Sequence, residues 1–377
     1  MWSMCSGEFV RTMILRCCLV NLDAFDGEDE IGGHFPNIAL FDANGFRVGF
    51  KSGEKHKKLK NGQPATVVIE PYEEGNNKTP EYIAISATGG DAFCLAYFAV
   101  TGPNGEYWTW NGEFGKACGQ IWYPSTQSMS GKNIRPSCIW FSNDGRYPSG
   151  VGIHLTDFSS SGTVEAQARA YQYKEHRDTL CKSKPRQHFY TERPFSALSC
   201  IPVSQVPLAA DEDGMDVDLT ASFTDGVSRC GPVPGVEPNF DQTMKLWRMR
   251  DRGRDRPMEP SYGVRKRHEA VQDYTKISKR TDCDYTDVII SDFDEHSATE
   301  VCQSATSSGP DFVSLKEKLL CDMCTHELRP LCSGEIVSDC FDLENLELRS
   351  GNLLIARDGG NATVQAGKQY LNGINWR

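Results

Sequence analysis

The chain has 377 residues, of which 39% are hydrophobic and 24% are charged, so it can bury a sizeable core beneath a polar surface. Its 51 acidic and 40 basic residues give a net charge of −11, which argues against a nucleic-acid binder as a description of the whole chain. No apolar run reaches the length that spans a bilayer. Fifteen cysteines favour structural disulfides, which in turn favour an extracellular protein.

The N-terminal residues 1–33 precede the first clear strand pattern. Met13–Val20 is apolar but short, is interrupted by Arg16, and lacks the small-residue cleavage site of a secretory signal. We therefore interpret residues 1–33 as a poorly ordered segment, or as a mis-called start from which the signal peptide is missing. A cytoplasmic protein is the alternative.

Residues 34–204 predict an antiparallel β-sandwich with an arm pinned to it. Asn44 and Gly45 stand between two apolar runs, which is a strong hairpin signal. Residues 91–101 are too apolar to expose a face, so they predict a central strand. About eight strands occur in all, at the spacing typical of a sandwich. His154 alternates on one of them, and we interpret it as a packed side chain rather than a general base.

The composition changes after this domain. Residues 205–283 are rich first in Pro, Asp, Gly and Ser and then in basic residues, which predicts a flexible charged linker. Lys279 and Arg280 form a dibasic pair in it, and we treat them as a candidate site of proteolytic processing. Residues 284–377 predict a small disulfide-rich α+β module.

Four aromatic residues are the candidates for a ligand site. Planar aromatic side chains on a sandwich face can stack on sugar rings. The candidates are Trp108, Trp110, Trp122 and Tyr123, and the last two lie in a loop that we expect to point outward. Packing of these side chains in the core is the competing interpretation.

Catalysis by a carboxylate pair is the alternative to simple binding. Asp91 and Glu106 flank the predicted central hairpin and could act together in glycoside hydrolysis, which requires two carboxyl groups about 5–10 Å apart. A serine nucleophile in a G-x-S-x-G turn is absent from the sequence.

The cysteines allow several pairings. Cys118 with Cys138 and Cys181 with Cys200 are the expected bridges. The cysteines at 321, 324, 332 and 340 could instead hold zinc, but the second pair is spaced more widely than a structural zinc site requires. We therefore predict no metal and no cofactor. Asn361 begins a glycosylation sequon that would be used only after export.

Several sequence blocks resemble a group of fungal predicted secreted proteins that have an N-terminal β domain and a small C-terminal module. The blocks are residues 38–45, 87–92, 118–123, 152–157, 181–186, 309–314, 321–323, 331–332 and 340–343. The chain departs from that pattern at Cys324, which looks like an additional cysteine. The resemblance implies an extracellular location and this domain layout, but it implies no chemistry.

The sequence thus favours a secreted, non-catalytic binding or cell-surface interaction protein that recognises a glycan or a cell-wall component. We expect neither nucleic-acid binding nor a membrane span. A secreted carbohydrate-active hydrolase and a structural wall or effector protein are the other hypotheses.

Overall fold

A computed structural model describes most of the two predicted domains and little of the segment between them. The described residues are 13–20, 34–43, 45, 47–53, 64–69, 80–88, 90–102, 105–129, 134–160, 162–183, 185–190, 201–204, 226–228, 286–349 and 368–377. The fold is mostly β, with several antiparallel sheets and a small disulfide-rich module, as the sequence predicted.

Two sheets build the N-terminal domain, which we call the sandwich. The six-stranded sheet has the order β4, β1, β6, β9, β8, and β7 also pairs with β6. Its strands are β1 (Met13–Val20), β4 (Pro64–Ile69), β6 (Phe93–Thr101), β7 (Tyr107–Asn111), β8 (Trp122–Tyr123) and β9 (Cys138–Phe141). The five-stranded sheet has the order β11, β10, β5, β2, β3. Its strands are β2 (Asn37–Phe41), β3 (Arg47–Lys51), β5 (Tyr82–Ser86), β10 (Gly150–His154) and β11 (Gln187–Tyr190).

Local sequence signals explain the predicted hairpin at Gly45 and the predicted central strand. Gly45 has φ of 76° in the turn between β2 and β3, and this left-handed conformation is one that glycine adopts without strain. The apolar strand β6 pairs with β1 along one edge, whereas β7 and β9 share its other edge. The prediction that this strand is central is therefore confirmed.

The hydrophobic core lies between the two sheets. Ile38, Ile83 and Val151 of the five-stranded sheet belong to the same buried cluster as Leu95 and Phe141 of the six-stranded sheet. The opposite face of the five-stranded sheet is also buried, in a smaller cluster that includes a residue from the following segment. Because β-strands alternate their side chains, this sheet needs apolar residues on both faces, and its strands are nearly continuous apolar runs for that reason.

Three helices cover the sandwich. They are α1 (Gly112–Ala117), α2 (Val164–Glu175) and α3 (Arg177–Cys181), and a 3-10 turn (Leu155–Phe158) precedes α2. Asn111 caps α1 by accepting a hydrogen bond from the backbone of Glu113, and Thr163 caps α2 in the same way.

Two disulfides connect these elements, and their pairing corrects the prediction. Cys94 bonds to Cys138, which joins the neighbouring strands β6 and β9. Cys118 bonds to Cys181, which joins the end of α1 to the end of α3. The predicted pairs Cys118–Cys138 and Cys181–Cys200 were wrong, because strand and helix neighbours decide which sulfur atoms meet.

Two segments expected to lack structure contain strands. Met13–Val20 forms β1, an internal strand that pairs antiparallel with both β4 and β6. This strand lies within residues 1–33, which the sequence was interpreted to leave poorly ordered or to contain a mis-called start. Within the predicted linker, β13 (Gly226–Ser228) pairs with β12 (Pro202–Ser204).

The C-terminal module comprises the described residues from 286 onward. Its five-stranded sheet has the order β17, β16, β15, β14, β21, and β14 is parallel to both of its neighbours. Its elements are β14 (Asp287–Ser291), α4 (Ala298–Gln303), β15 (Asp311–Ser314), β16 (Leu319–Asp322), β17 (Glu327–Pro330), β18 (Cys340–Asp342), β19 (Glu347–Arg349), β20 (Lys368–Gln369) and β21 (Asn372–Trp376). Strands β18, β19 and β20 form a separate small sheet.

Two further disulfides hold this module. Cys302 on α4 bonds to Cys321 on β16, and Cys332 bonds to Cys340. Ser297 caps α4, because its hydroxyl accepts a hydrogen bond from the backbone N–H of Glu300.

Candidate functional site

The four aromatic candidates for a ligand platform are all buried. Trp108 is 7% exposed, Trp110 0%, Trp122 2% and Tyr123 0%. Trp110 lies in the sandwich core, where its indole N–H donates to the side-chain oxygen of Gln187 at 2.7 Å. The prediction that Trp122 and Tyr123 point outward was wrong, and the competing interpretation of core packing applies to all four side chains.

The C-terminal module is what covers Trp122 and Tyr123. The indole N–H of Trp122 donates to Ser304 Oγ at 3.0 Å, and the Tyr123 hydroxyl donates to the carbonyl of Pro310 at 2.8 Å. Both partners lie more than 180 positions further along the chain, so no local sequence pattern could have indicated this burial. The aromatic pair therefore joins two domains instead of meeting a ligand.

Charged side chains close the rim of the same contact. The ammonium of Lys116 lies 3.6 Å from the ring centroid of Trp122 and 2.7 Å from a carboxylate oxygen of Glu300. Arg135 covers the ring of Phe293 at 3.7 Å and pairs with Glu295 at 2.6 Å. The Lys116 ammonium therefore lies over the Trp122 ring, which is the surface on which a sugar would have to stack.

The two carboxylates of the hydrolase hypothesis lie at opposite ends of β6. Asp91 precedes the strand, whereas Glu106 accepts a backbone hydrogen bond from Gly102, which follows it. A strand of this length separates them by at least about 25 Å at ~3.3 Å per residue. Glycoside hydrolysis needs about 5–10 Å. Asp91 and Glu106 are therefore not a catalytic pair.

The zinc alternative fails on the bonding of one cysteine. Cys321 is in a disulfide with Cys302, so its sulfur cannot serve as a thiolate ligand. Within the ranges that the structure describes, no three His, Cys, Asp or Glu side chains are grouped as metal ligands.

Several ionisable groups with shifted pKa values form a buried network around Asp157. One carboxylate oxygen of Asp157 lies 2.9 Å from His154 Nδ1, and the other lies 2.5 Å from Arg169 and 3.4 Å from Arg186. His154 Nε2 contacts the carboxylate of Glu81 at 3.3 Å. The network joins β10, the 3-10 turn, α2 and the start of β11, and only Glu81, which is 37% exposed, reaches the surface.

The pKa values in this network follow from its charges. Burial alone would raise the pKa of Asp157, but His154 and the two arginines hold it well below its usual range. Burial alone would lower the pKa of His154, but Asp157 and Glu81 raise it above its usual value. The charges of the network therefore favour the ionised form of both groups.

This network has the outline of a catalytic triad but not its chemistry. Thr156 Oγ1 lies 3.3 Å from His154 Nε2, so hydroxyl, imidazole and carboxylate are in sequence. Each imidazole nitrogen, however, faces a carboxylate, and this environment favours the doubly protonated ring, which has no lone pair to accept a proton from Thr156. The burial of His154 agrees with the sequence-based interpretation of this residue as a packed side chain.

A better candidate for a functional surface is the loop between β17 and β18, which we call the exposed loop and define as residues 333–339. All seven residues are exposed, and they are closed at the base by the Cys332–Cys340 disulfide. Two adjacent apolar side chains stand in the loop, Ile336 at 40% and Val337 at 64% exposure.

The backbone of the exposed loop is fixed by its own hydrogen bonds. The N–H of Ser333 donates to the carbonyl of Ile336 at 2.9 Å, and the Ser333 hydroxyl accepts from the N–H groups of Glu335 and Ile336. The N–H of Cys332 also donates to Phe341 at 2.9 Å, which anchors the base. The loop is therefore held in one shape while its apolar side chains face solvent.

The surroundings of the loop are acidic. The C-terminal module carries fourteen acidic and six basic side chains between residues 286–349 and 368–377, a net charge of −8. Glu335 and Asp339 lie in the loop itself. Sequence reasoning missed this surface, although two cysteines eight positions apart around an Ile-Val pair were a visible signal.

Several predicted residues lie outside the described part of the chain. These are Cys200, the sequon at Asn361 and the dibasic pair Lys279 and Arg280. In the part that is described, no helix is both long and apolar enough to cross a membrane.

Comparison with known proteins adds no assignment. The chain matches no protein-family model. No curated protein shows significant similarity to it.

Proposed function

We propose that the chain is an extracellular, non-catalytic interaction protein whose C-terminal module binds a partner protein through the exposed loop. The observation that carries the proposal is the combination of a disulfide-closed, internally hydrogen-bonded backbone with two adjacent apolar side chains in solvent. The four disulfides among the described residues support an extracellular setting.

A rigid loop is suited to binding because it has little conformational entropy to lose. Ordering a flexible side chain or segment at an interface costs about 0.5–1.5 kcal/mol per side chain, and a preformed loop avoids much of that cost. Burying an exposed Ile or Val in an apolar cleft stabilises a complex by up to about 1.5–3 kcal/mol each. Ile336 and Val337 are thus the residues that would contribute most of the affinity.

The charge of the module indicates the chemistry of the partner. Acidic side chains flank the apolar pair within the loop, and the whole module has a net charge of −8. The complementary surface is an apolar cleft bordered by Lys or Arg residues. Such a partner would bind faster at low ionic strength than at high ionic strength.

A protein partner replaces the glycan of the sequence-based hypothesis. The aromatic residues that would have stacked on a sugar are buried, either in the sandwich core or between the two domains, whereas the exposed loop offers aliphatic side chains. Aliphatic side chains fill clefts in proteins but provide no flat ring for a sugar face.

The proposal is tested on parallel arrays of purified extracellular proteins and of glycans. We expect a protein binder that is lost with the double substitution Ile336→Ser and Val337→Ser. Tyr171→Ser is the matched control, because Tyr171 is 64% exposed on α2 and lies in the sandwich. A protein binder that the loop substitutions leave unchanged, or binding to glycans alone, would overturn the proposal.

A further inference from the structure

The C-terminal module contacts the sandwich through an extended segment, residues 304–310. The backbone N–H of Trp122 donates to the carbonyl of Thr306 at 3.0 Å, and the N–H of Ser308 donates to the carbonyl of Trp122 at 2.9 Å. The two segments of the chain run parallel here, with Trp122 opposite Ser307. The segment thus extends the sheet at β8, which is the way that strand-addition domains bind extended peptides.

Side chains of the sandwich complete the backbone hydrogen bonds of this segment. The indole N–H of Trp140 donates to the carbonyl of Ser308 at 2.7 Å, and the Tyr123 hydroxyl donates to the carbonyl of Pro310. A buried carbonyl without a donor destabilises a protein. Both of these carbonyls depend on the other domain for their donors.

The C-terminal module packs tightly against the sandwich at Gly309. A Cβ atom at this position would lie 2.3 Å from two ring atoms of Tyr123. The ring edges of Phe312 and Trp376 pack against the same tyrosine, with centroids 5.9 and 6.4 Å away. The hydrophobic core is therefore continuous from the sandwich into the module.

The four disulfides of the described residues do not cross this contact. Two lie within the sandwich and two lie within the C-terminal module. Across the contact the structure shows hydrogen bonds, ring packing and two ion pairs, Lys116–Glu300 and Arg135–Glu295.

We propose that the sandwich and the C-terminal module are a non-covalent receptor and ligand pair. The cleft formed by Trp122, Tyr123 and Trp140 is a peptide-binding site, and residues 304–310 of this chain are its ligand. The pair stays associated when the connection between the two parts is cut. This inference does not rest on the partner proposed for the exposed loop.

The first experiment cuts the full-length chain at a specific protease site inserted after Arg280. We expect one peak at the volume of the uncut chain in native size-exclusion chromatography, together with two bands on a non-reducing denaturing gel. Two native peaks would show that the contact does not hold the parts together. A single non-reduced band that separates only on reduction would show a covalent link. Either result overturns the proposal.

The second experiment measures the dissociation constant of the cut pair by dilution. Gly309→Ala places a methyl group against the Tyr123 ring, and we expect binding to weaken by about 30-fold or more. The matched control is Gly90→Ala in the sandwich, because a Cβ there meets only the Cβ of Asp144, at an ordinary contact distance of 3.7 Å. We expect the control to bind like the parent.

A double-mutant cycle separates a local clash from misfolding. In a Tyr123→Ala background the ring is absent, so Gly309→Ala should weaken binding far less than it does in the parent. An equal loss in both backgrounds, or an equal loss with Gly90→Ala, would contradict the assignment of residues 304–310 as the ligand.

Discussion

Replacing Asp157 by Asn tests whether the buried charge network stabilises the sandwich. Asn has nearly the same shape but no charge, so the neighbouring cations at 2.5–3.4 Å lose their counter-ion inside the protein. Removing one partner from a buried ion pair costs about 3–5 kcal/mol. We expect a loss at the upper end of that range for two arginines, moderated because His154 can release its proton once the carboxylate has gone.

The assay is urea unfolding monitored by tryptophan fluorescence. Four tryptophans lie in the sandwich, namely Trp108, Trp110, Trp122 and Trp140. Because the pKa of Asp157 is lowered in the folded state, its contribution is complete above the unfolded value of about 3.9 and is lost as the pH falls below it. The Asn variant should therefore lose less stability on acidification than the parent.

The matched control for that variant is Asp178→Asn. Asp178 pairs with Lys182 at 2.5 Å, but both side chains are about 60% exposed, so the pair contributes ~1 kcal/mol or less. If Asp157→Asn changed the free energy of unfolding by no more than this control, the reasoning about the buried network would be refuted.

Three further predictions concern single features of the fold. Burial lowers the pKa of His296 to about 4, so its contribution to stability is lost as the pH falls from about 6.5 toward 4. The two carboxylates beside His154 raise its pKa despite burial, so its contribution to stability is complete below about 6.5 and is lost as the pH rises through the raised pKa. Imidazole NMR titrations should give midpoints on opposite sides of 6.5, and the reverse order would contradict the contacts. Trp110→Phe leaves a buried glutamine oxygen without its donor and should cost about 1–3 kcal/mol in urea unfolding, whereas a change below ~0.5 kcal/mol would argue against that hydrogen bond. Replacing both Cys118 and Cys181 by Ser removes a cross-link between residues 63 positions apart and should lower the free energy of unfolding by about 4 kcal/mol. Peptide mapping of the parent protein that finds either cysteine in a different disulfide would contradict the pairing.

The strands were predictable because their signals are local. The turn at Gly45 and the apolar run of β6 each depend on a few neighbouring residues, and each appears as expected. The strand β1 was missed because its apolar run has no alternation and no turn signal before it. The residues of β4 and β6 that pair with it are 46–87 positions further along the chain.

The burial of Trp122 and Tyr123 was not predictable, because their contacts are long-range. Trp122 and Tyr123 follow a glycine and cysteine cluster that is typical of a surface loop, and only the docking of residues 304–310 buries them. Cys138 likewise had several possible partners, and the pairing of β6 with β9 brings it to Cys94. Periodicity indicates which side chains leave the surface, but it does not indicate what covers them.

The most direct test of the account is hydroxyl-radical footprinting of the intact chain, read by mass spectrometry. The central claim is that Trp122 and Tyr123 are covered by the C-terminal module. We predict little oxidation of these two residues, against strong oxidation of Tyr107 and Tyr171, which are 45% and 64% exposed. Oxidation of Trp122 and Tyr123 to the same extent as the two exposed tyrosines would contradict the claim.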